Sequence, residues 1–160
     1  MIDTKSFKLA TYIKGDETSK RVALVLPRKL DTKDYPHTRS HVDFLADQGF
    51  FALSFDPPGT WESLGGIELY NMTNYLKDIN ELIEYFGNKP TVLLGHSRGG
   101  SMAMLGVITN SYVTHFIAVM SRAGESVPSK PMQPGDTSVS YRDIPGNPDE
   151  KKKFELSFSY

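Results

Sequence analysis

The chain has 160 residues, of which 39% are hydrophobic and 23% charged, with 18 basic and 19 acidic side chains. This length and composition predict one globular domain, and a formal charge of −1 excludes the basic excess typical of proteins that bind nucleic acid or membrane surfaces. With no cysteine there are no disulfides or thiolate metal sites, and we expect a cytoplasmic protein because no leader-like or membrane-spanning segment is evident.

Strands and helices alternate along the first three quarters of the chain. Residues 6–13 predict a strand that turns at Gly15 and Asp16, and the apolar run 21–26 predicts a strand buried on both faces. The later predicted elements are a helix (37–48), a strand (50–55), a helix (70–86), a strand (91–94), a helix (98–110) and a strand (115–120). This order predicts an α/β fold with a mostly parallel sheet, helices on both faces and binding residues at the carboxyl ends of the strands.

The regular pattern ends near Gly124. Residues 125–150 contain five of the ten prolines and predict a loop or lid. The final ten residues, KKKFELSFSY, alternate apolar and polar side chains and predict an element with one apolar face. We therefore divide the chain into a core at 1–124 and an incomplete, lid-like segment at 125–160.

The segment TVLLGHSRGGSM, residues 91–102, carries the strongest chemical signal. A serine nucleophile needs a sharp turn between a strand and a helix that lifts its hydroxyl clear of the sheet. Gly95 and Gly99 would leave space for the backbone there, and the helix N-terminus would direct N–H groups at developing negative charge. The pattern predicts Ser97 as the nucleophile, with an ordinary glycine-rich turn as the structural alternative.

The stretch from about residue 21 to 124 resembles the α/β-hydrolase superfamily. RVALVLPRKLD is similar to its third strand and oxyanion loop, FFALSFDPPGTWES to its fourth strand and the following turn, and TVLLGHSRGG to its nucleophile elbow. The resemblance implies an acyl-enzyme on Ser97. It implies oxyanion donation by the backbone N–H of Arg98 and by that of Lys29 or Arg28, and a turn anchored by Asp56. The sequence contains no phosphate-loop, dinucleotide-binding or zinc motif. We therefore expect neither a cofactor nor a metal.

The acid and histidine that this superfamily places after the nucleophile have no clear counterpart. His96 is expected to pack rather than react. His37 and His41 are the candidates for the base, and Glu125 is the candidate for the acid. We expect the chain to stop before the usual acid and histidine. The strand at 115–120 would then be an open edge, to be covered by a missing C-terminal half or by a second copy.

The sequence thus predicts a serine hydrolase of small esters, thioesters or similar acyl substrates. The hydrolase would be inactive if the acid and the histidine are missing from the chain. A non-catalytic remnant or binding module is one alternative, and an acyltransferase is another, because GHSxG is also similar to the serine motif of malonyl-type transferases. Trp61 is expected to pack or to line an acyl pocket. Arg122 and the lysines at 151–153 would attract an acidic substrate or form a solvated face.

Overall fold

The structure, a computed structural model, describes residues 1–121, 133 and 135–157. The described residues form nine strands, three α-helices and a short 3₁₀ helix at Ile67–Leu69. In chain order they are β1 (Ile2–Asp3), β2 (Lys8–Leu9), β3 (Thr11–Lys14), β4 (Val22–Leu26), α1 (Pro36–Asp47), β5 (Phe51–Phe55), α2 (Met72–Tyr85), β6 (Thr91–His96), α3 (Arg98–Thr109), β7 (Val113–Val119), β8 (Thr137–Ile144) and β9 (Asn147–Ser157).

Five strands form the central sheet in the order β3-β5-β4-β6-β7. The four strands from β5 to β7 in this order are parallel, whereas β3 is antiparallel to β5. The predicted first strand is divided: residues 8–9 pair with β1, and residues 11–14 form β3. Although β3 precedes β4 in the chain, the two do not pair, because β5 and β6 occupy both sides of β4.

Helices cover both faces of this sheet, as the alternating pattern predicts. Successive strand residues point to opposite faces, so β4 contributes to two separate cores. On one face α1 packs over the smaller core, formed by Ala23, Val25, Ala52 and Leu94 from the sheet and Val42 and Leu45 from the helix. On the other face α2 and α3 cover the larger core, which includes Leu24, Leu53, Leu93, Ile79, Leu82 and Met102.

The predicted loop or lid after residue 124 contains regular structure. Strands β8 and β9 pair antiparallel, with Gly146 at φ +78° in the turn between them. The hairpin attaches through Phe154, which is buried in a third cluster with Leu30 and Tyr70, and Leu156 packs against the same cluster. The apolar face predicted for the chain's last residues is therefore confirmed as far as residue 157. Two prolines are compatible with the hairpin, because Pro145 lies in its turn and Pro148 lies at the start of β9, where the pairing register shifts.

Strand β7 forms one edge of the described sheet, as expected for residues 115–120. Its only described neighbour is β6, and its side chains beyond Val113 are exposed. Among the described residues, no helix combines the length and the apolar character that crossing a bilayer requires.

Candidate active site

Ser97 lies on the turn between β6 and α3 in a conformation that L-residues rarely adopt, with φ 54° and ψ −115°. Its N–H donates to the carbonyl of Val119 (2.9 Å), and its carbonyl accepts from the Ser121 hydroxyl (3.0 Å) and from the N–H of Ser101 (3.1 Å). Its side chain does not cap α3. Strained backbone held by surrounding hydrogen bonds is typical of functional sites, and here it leaves the hydroxyl at the amino end of a helix.

The glycines of the turn permit close backbone contact on both sides of Ser97. A Cβ on Gly95 would overlap the carbonyl of Gly99, and a Cβ on Gly99 would overlap the carbonyl of Leu26 and approach that of Pro27 to 2.7 Å. The start of α3 therefore packs directly against the carboxyl end of β4. This contact places the predicted oxyanion loop beside the turn.

The loop at residues 27–31 is fixed by hydrogen bonds to three other segments. The Tyr75 hydroxyl donates to the carbonyl of Pro27 (3.0 Å), and the N–H of Leu30 donates to the Tyr70 hydroxyl (2.9 Å). The Arg142 guanidinium donates to the carbonyl of Lys29 (2.9 and 3.3 Å). Opposite this loop, the N–H of Arg98 is the first of α3 and so has no acceptor within the helix. Arg28 and Lys29 thus lie in a well-ordered loop beside the helix N-terminus.

Asp56 anchors the turn after β5, as the resemblance implies. Its buried carboxylate accepts from the Thr32 hydroxyl (2.7 Å), from the N–H of Lys33 (2.9 Å) and from the N–H of Glu62 (3.3 Å). Burial raises the pKa of Asp56, while the N–H and ammonium of Lys33 oppose that rise. The carboxylate is occupied by these contacts and has a structural role.

The two predicted candidates for the base meet in one small cavity. His37 and His41 line it together with His96 and Arg28, on the α1 side of the sheet, in a volume of about 20 Å³. That volume holds about one water molecule. Ser97 does not line the cavity, and no hydrogen bond joins its hydroxyl to a histidine among the described residues.

His96 packs at the wall of this cavity, as expected. Its Nδ1 atom is buried and has no hydrogen-bond partner within the described part of the chain. Burial lowers the pKa of His96, and the nearby charge of Arg28 lowers it further. The imidazole is therefore neutral at physiological pH.

Asp31 is a component of the site that the sequence analysis missed. Its side chain is buried, and its carboxylate lies 3.4 Å from Nε2 of His37. Nothing in the local pattern distinguishes it from a surface residue, because its burial results from contacts with distant segments. Glu125, the predicted acid, and Arg122 lie outside the described residues, so their placement stays a prediction.

Trp61 packs between the loop and the hairpin. Its Nε1–H donates to the carbonyl of Leu30 (2.9 Å), and its ring meets that of Phe154 edge-on at 5.5 Å. Lys152 lies 5.1 Å from the Trp61 ring centroid, whereas the flanking Lys151 and Lys153 form exposed ion pairs. Within residues 1–121 and 135–157, no group of three or more His, Asp or Glu side chains is arranged to hold a metal ion.

Comparison with known proteins agrees with this architecture. The α/β hydrolase fold family model matches residues 30–144, and the chain belongs to that family. Similar solved structures include Est1E from Butyrivibrio proteoclasticus with ferulic acid bound (20% identity, TM-score 0.62, covering 72% of this chain and 49% of that one). Mouse α/β hydrolase domain-containing protein 10 is also similar (20% identity, TM-score 0.60, covering 76% and 47%).

A protein from Agrobacterium vitis S4 matches more of the chain, with a TM-score of 0.69 at 14% identity, covering 98% of this chain and 66% of that one. The chain thus spans about half to two thirds of the length of these proteins. At such low identities the likeness concerns the fold. No curated protein matches the sequence.

Proposed function

We propose that the protein is a hydrolase of ester or related acyl substrates in which Ser97 is the nucleophile. The observation that carries this proposal is the positive φ of Ser97 at the junction of β6 and α3, with its hydroxyl at the helix N-terminus. A sharp turn of this kind exposes a serine to substrate above the sheet. Membership in the α/β hydrolase fold family supports the same conclusion.

In the proposed reaction the Ser97 hydroxyl attacks the acyl carbon while a base takes its proton. The oxyanion that forms would accept hydrogen bonds from the backbone N–H of Arg98 and from that of Lys29, with Arg28 as the alternative second donor. Loss of the alcohol or thiol, which receives the proton, gives an acyl-Ser97 ester. Water then attacks this ester and releases the acid.

The proposal includes two sources for the base. One source is a histidine on polypeptide outside this chain, since the chain covers only 49% and 47% of two matched structures. The other source is His37, which has Asp31 at 3.4 Å as an orienting carboxylate. An acid that orients a histidine in this way is a general requirement of serine hydrolases.

A second candidate function is a binding module with no catalysis. The absence of a hydrogen bond from any described histidine to Ser97 favours it. A serine without a base is a poor nucleophile, and loss of one triad member can reduce turnover by about 10⁶.

Labelling with a fluorophosphonate, followed by intact mass, separates the two candidates. We expect one adduct on the wild-type chain, lost in Ser97→Ala and retained in Ser111→Ala, a control at an exposed serine. A labelling rate reduced about 100-fold by His37→Asn would identify the base within this chain. Labelling that persists in Ser97→Ala would contradict the proposal. A folded chain that takes no label would exclude a base within this chain, and would leave the binding module or a base from outside the chain.

A further inference from the structure

Four cationic residues lie in or next to the loop beside Ser97. They come from three separate segments: Arg28 and Lys29 from the loop itself, Arg98 from the start of α3 and Arg142 from β8. The Arg142 guanidinium binds the carbonyl of Lys29, and the Arg98 guanidinium lies 5.0 Å from the centroid of the Tyr70 ring. The Tyr70 hydroxyl accepts from the N–H of the next loop residue, Leu30, at 2.9 Å. These contacts hold the guanidinium groups of Arg98 and Arg142 against the short loop that carries Arg28 and Lys29.

Only one buried carboxylate, that of Asp31, opposes these charges in the described residues. Its oxygens lie 3.5 Å from Nε of Arg142 and 3.7 Å from Nε of Arg28. Within the same described residues, Lys29 and Arg98 have no ion-pair partner. Both are partly buried, and placing unpaired cations near each other is costly because their repulsion is only weakly screened away from water.

The pKa of Lys29 reflects this crowding. Partial burial lowers it, and the charges of Arg98 and Arg142 lower it further. An anion bound beside Lys29 would offset the repulsion between these cations. The cluster is therefore preorganised to accept a negatively charged group next to the proposed nucleophile.

We propose that Lys29 and Arg98 bind an anionic group of the substrate, so that the preferred substrates are esters carrying a carboxylate within reach of the scissile carbonyl. This inference rests on the proposed function, because it places the carboxylate in the same site as the acyl group. Arg142 orients the loop through the carbonyl of Lys29 and shares Asp31, so it acts as a positioning residue. The carboxylate would supply the counter-charge that the described residues do not provide.

Matched esters test the preference. In 4-nitrophenyl glutarate and 4-nitrophenyl pentanoate, a carboxylate replaces a methyl group on acyl chains of the same length. We expect kcat/KM to be at least tenfold higher for the glutarate ester, with the preference falling as salt is raised. A second pair, 4-acetoxybenzoate and phenyl acetate, carries the charge on the leaving group and shows on which side of the ester the anion binds.

Substitution locates the effect. Lys29→Met and Arg98→Met should each reduce the glutarate preference about tenfold. Lys20→Met makes the same change of charge at an exposed residue before the amino end of β4 and should preserve the preference. A preference for the neutral member of both ester pairs, or equal rates, would overturn the inference. So would a preference that survives both Lys29→Met and Arg98→Met.

A binding measurement separates failure of this inference from failure of the proposed function. Glutarate and its neutral diamide, glutaramide, are titrated into Ser97→Ala by calorimetry, with the fluorescence of Trp61, the sole tryptophan, as a second readout. We expect glutarate to bind at least tenfold more tightly and this difference to disappear in Lys29→Met. If no ester is hydrolysed but glutarate binds in this way, the hydrolase proposal fails and the anion site stands. If esters are hydrolysed without charge preference and glutarate does not bind, the anion site fails alone.

Discussion

Asp78 is an ionisable group in the interior of α2 that the proposed chemistry does not use. Its side chain is fully buried, and neither carboxylate oxygen has a hydrogen-bond partner within the described part of the chain. Burial raises the pKa of Asp78 to about 9, and the negative charge of Glu81 acts in the same direction. The folded protein therefore keeps this carboxyl protonated at neutral pH, whereas the unfolded chain ionises it near pH 3.9.

This difference makes stability depend on pH in a predictable direction. Because the folded-state pKa is raised, Asp78 contributes most to the free energy of unfolding below about pH 4. This contribution is lost as pH rises towards 9, at about 1.4 kcal/mol per pH unit. Asp78→Asn, which resembles the neutral acid, should match the wild type near pH 4. It should exceed the wild type in unfolding free energy by at least about 2 kcal/mol at pH 8.

Urea unfolding at both pH values, followed by Trp61 fluorescence, measures this difference. Asp47→Asn, at an exposed position of α1, is the control and should show no such pH-dependent gain. An Asp78→Asn variant that is less stable than the wild type at pH 8 would show that the carboxylate is charged and has a partner.

At the scale of elements, the hairpin of β8 and β9 depends on few anchors. Phe154 is 5% exposed and packs with Leu30, Tyr70 and Trp61. Two hydrogen-bonded contacts add to this packing, from the Tyr35 hydroxyl to the carbonyl of Asp143 (2.8 Å) and from the Arg142 guanidinium to the carbonyl of Lys29 (2.9 Å). Most other side chains of the hairpin are exposed, and a two-stranded hairpin is marginally stable by itself.

We expect Phe154→Ala to release the hairpin while the central sheet stays folded. Truncation of a buried phenylalanine costs about 3–5 kcal/mol, which exceeds what the remaining contacts can offset. Limited proteolysis with mass mapping should show cleavage within residues 135–157 at least tenfold faster than in the wild type. Tyr141→Ala, at a side chain 57% exposed in the same hairpin, should leave the cleavage rate unchanged. If Phe154→Ala is cleaved no faster than the wild type, the hydrogen bonds alone hold the hairpin in place.

For the whole molecule, the side of the sheet at β7 is notable because it exposes several large apolar side chains. Phe116 is 42% exposed and Ile117 47% on the strand, while Ile108 on the neighbouring α3 is 79% exposed. The strand also presents unpaired backbone groups in the described structure. An edge of this kind, without lysine or proline on the strand, is a template for pairing with another chain.

We expect this surface to cause reversible self-association of the 160-residue chain. The mass measured by sedimentation equilibrium should rise with concentration for the wild type and stay at the monomer value for Ile117→Lys, because burying a charge at the edge opposes pairing. Tyr85→Lys replaces a large hydrophobic residue on α2 that is 56% exposed and should associate as the wild type does. A wild-type chain that stays monomeric at all concentrations would contradict the expectation and leave a different polypeptide as the partner.

Features that depend on neighbouring residues could be predicted from the sequence. The alternation of buried strands and amphipathic helices, and the turn at Ser97, are encoded in the local spacing of apolar residues and glycines. Gly49 and Gly87 follow α1 and α2 with φ +83° and +79°, as expected of residues that end helices. The anchoring role of Asp56 could also be predicted, because the family resemblance that implies this role is carried by the residues adjacent to it.

Features that join distant segments were decided only by the tertiary structure. Lys29 and Arg142 are 113 positions apart, and neither a strand pattern nor a motif relates them. The burial of Asp31 and the meeting of His37, His41 and His96 around one cavity likewise depend on how α1 packs against the sheet. By itself, therefore, the sequence determined the α/β class, most elements and the position of Ser97, because these follow from local periodicity and backbone geometry. Only the tertiary structure determined which charged side chains lie near Ser97 and where the hairpin packs, because electrostatic interactions and burial depend on distance in space.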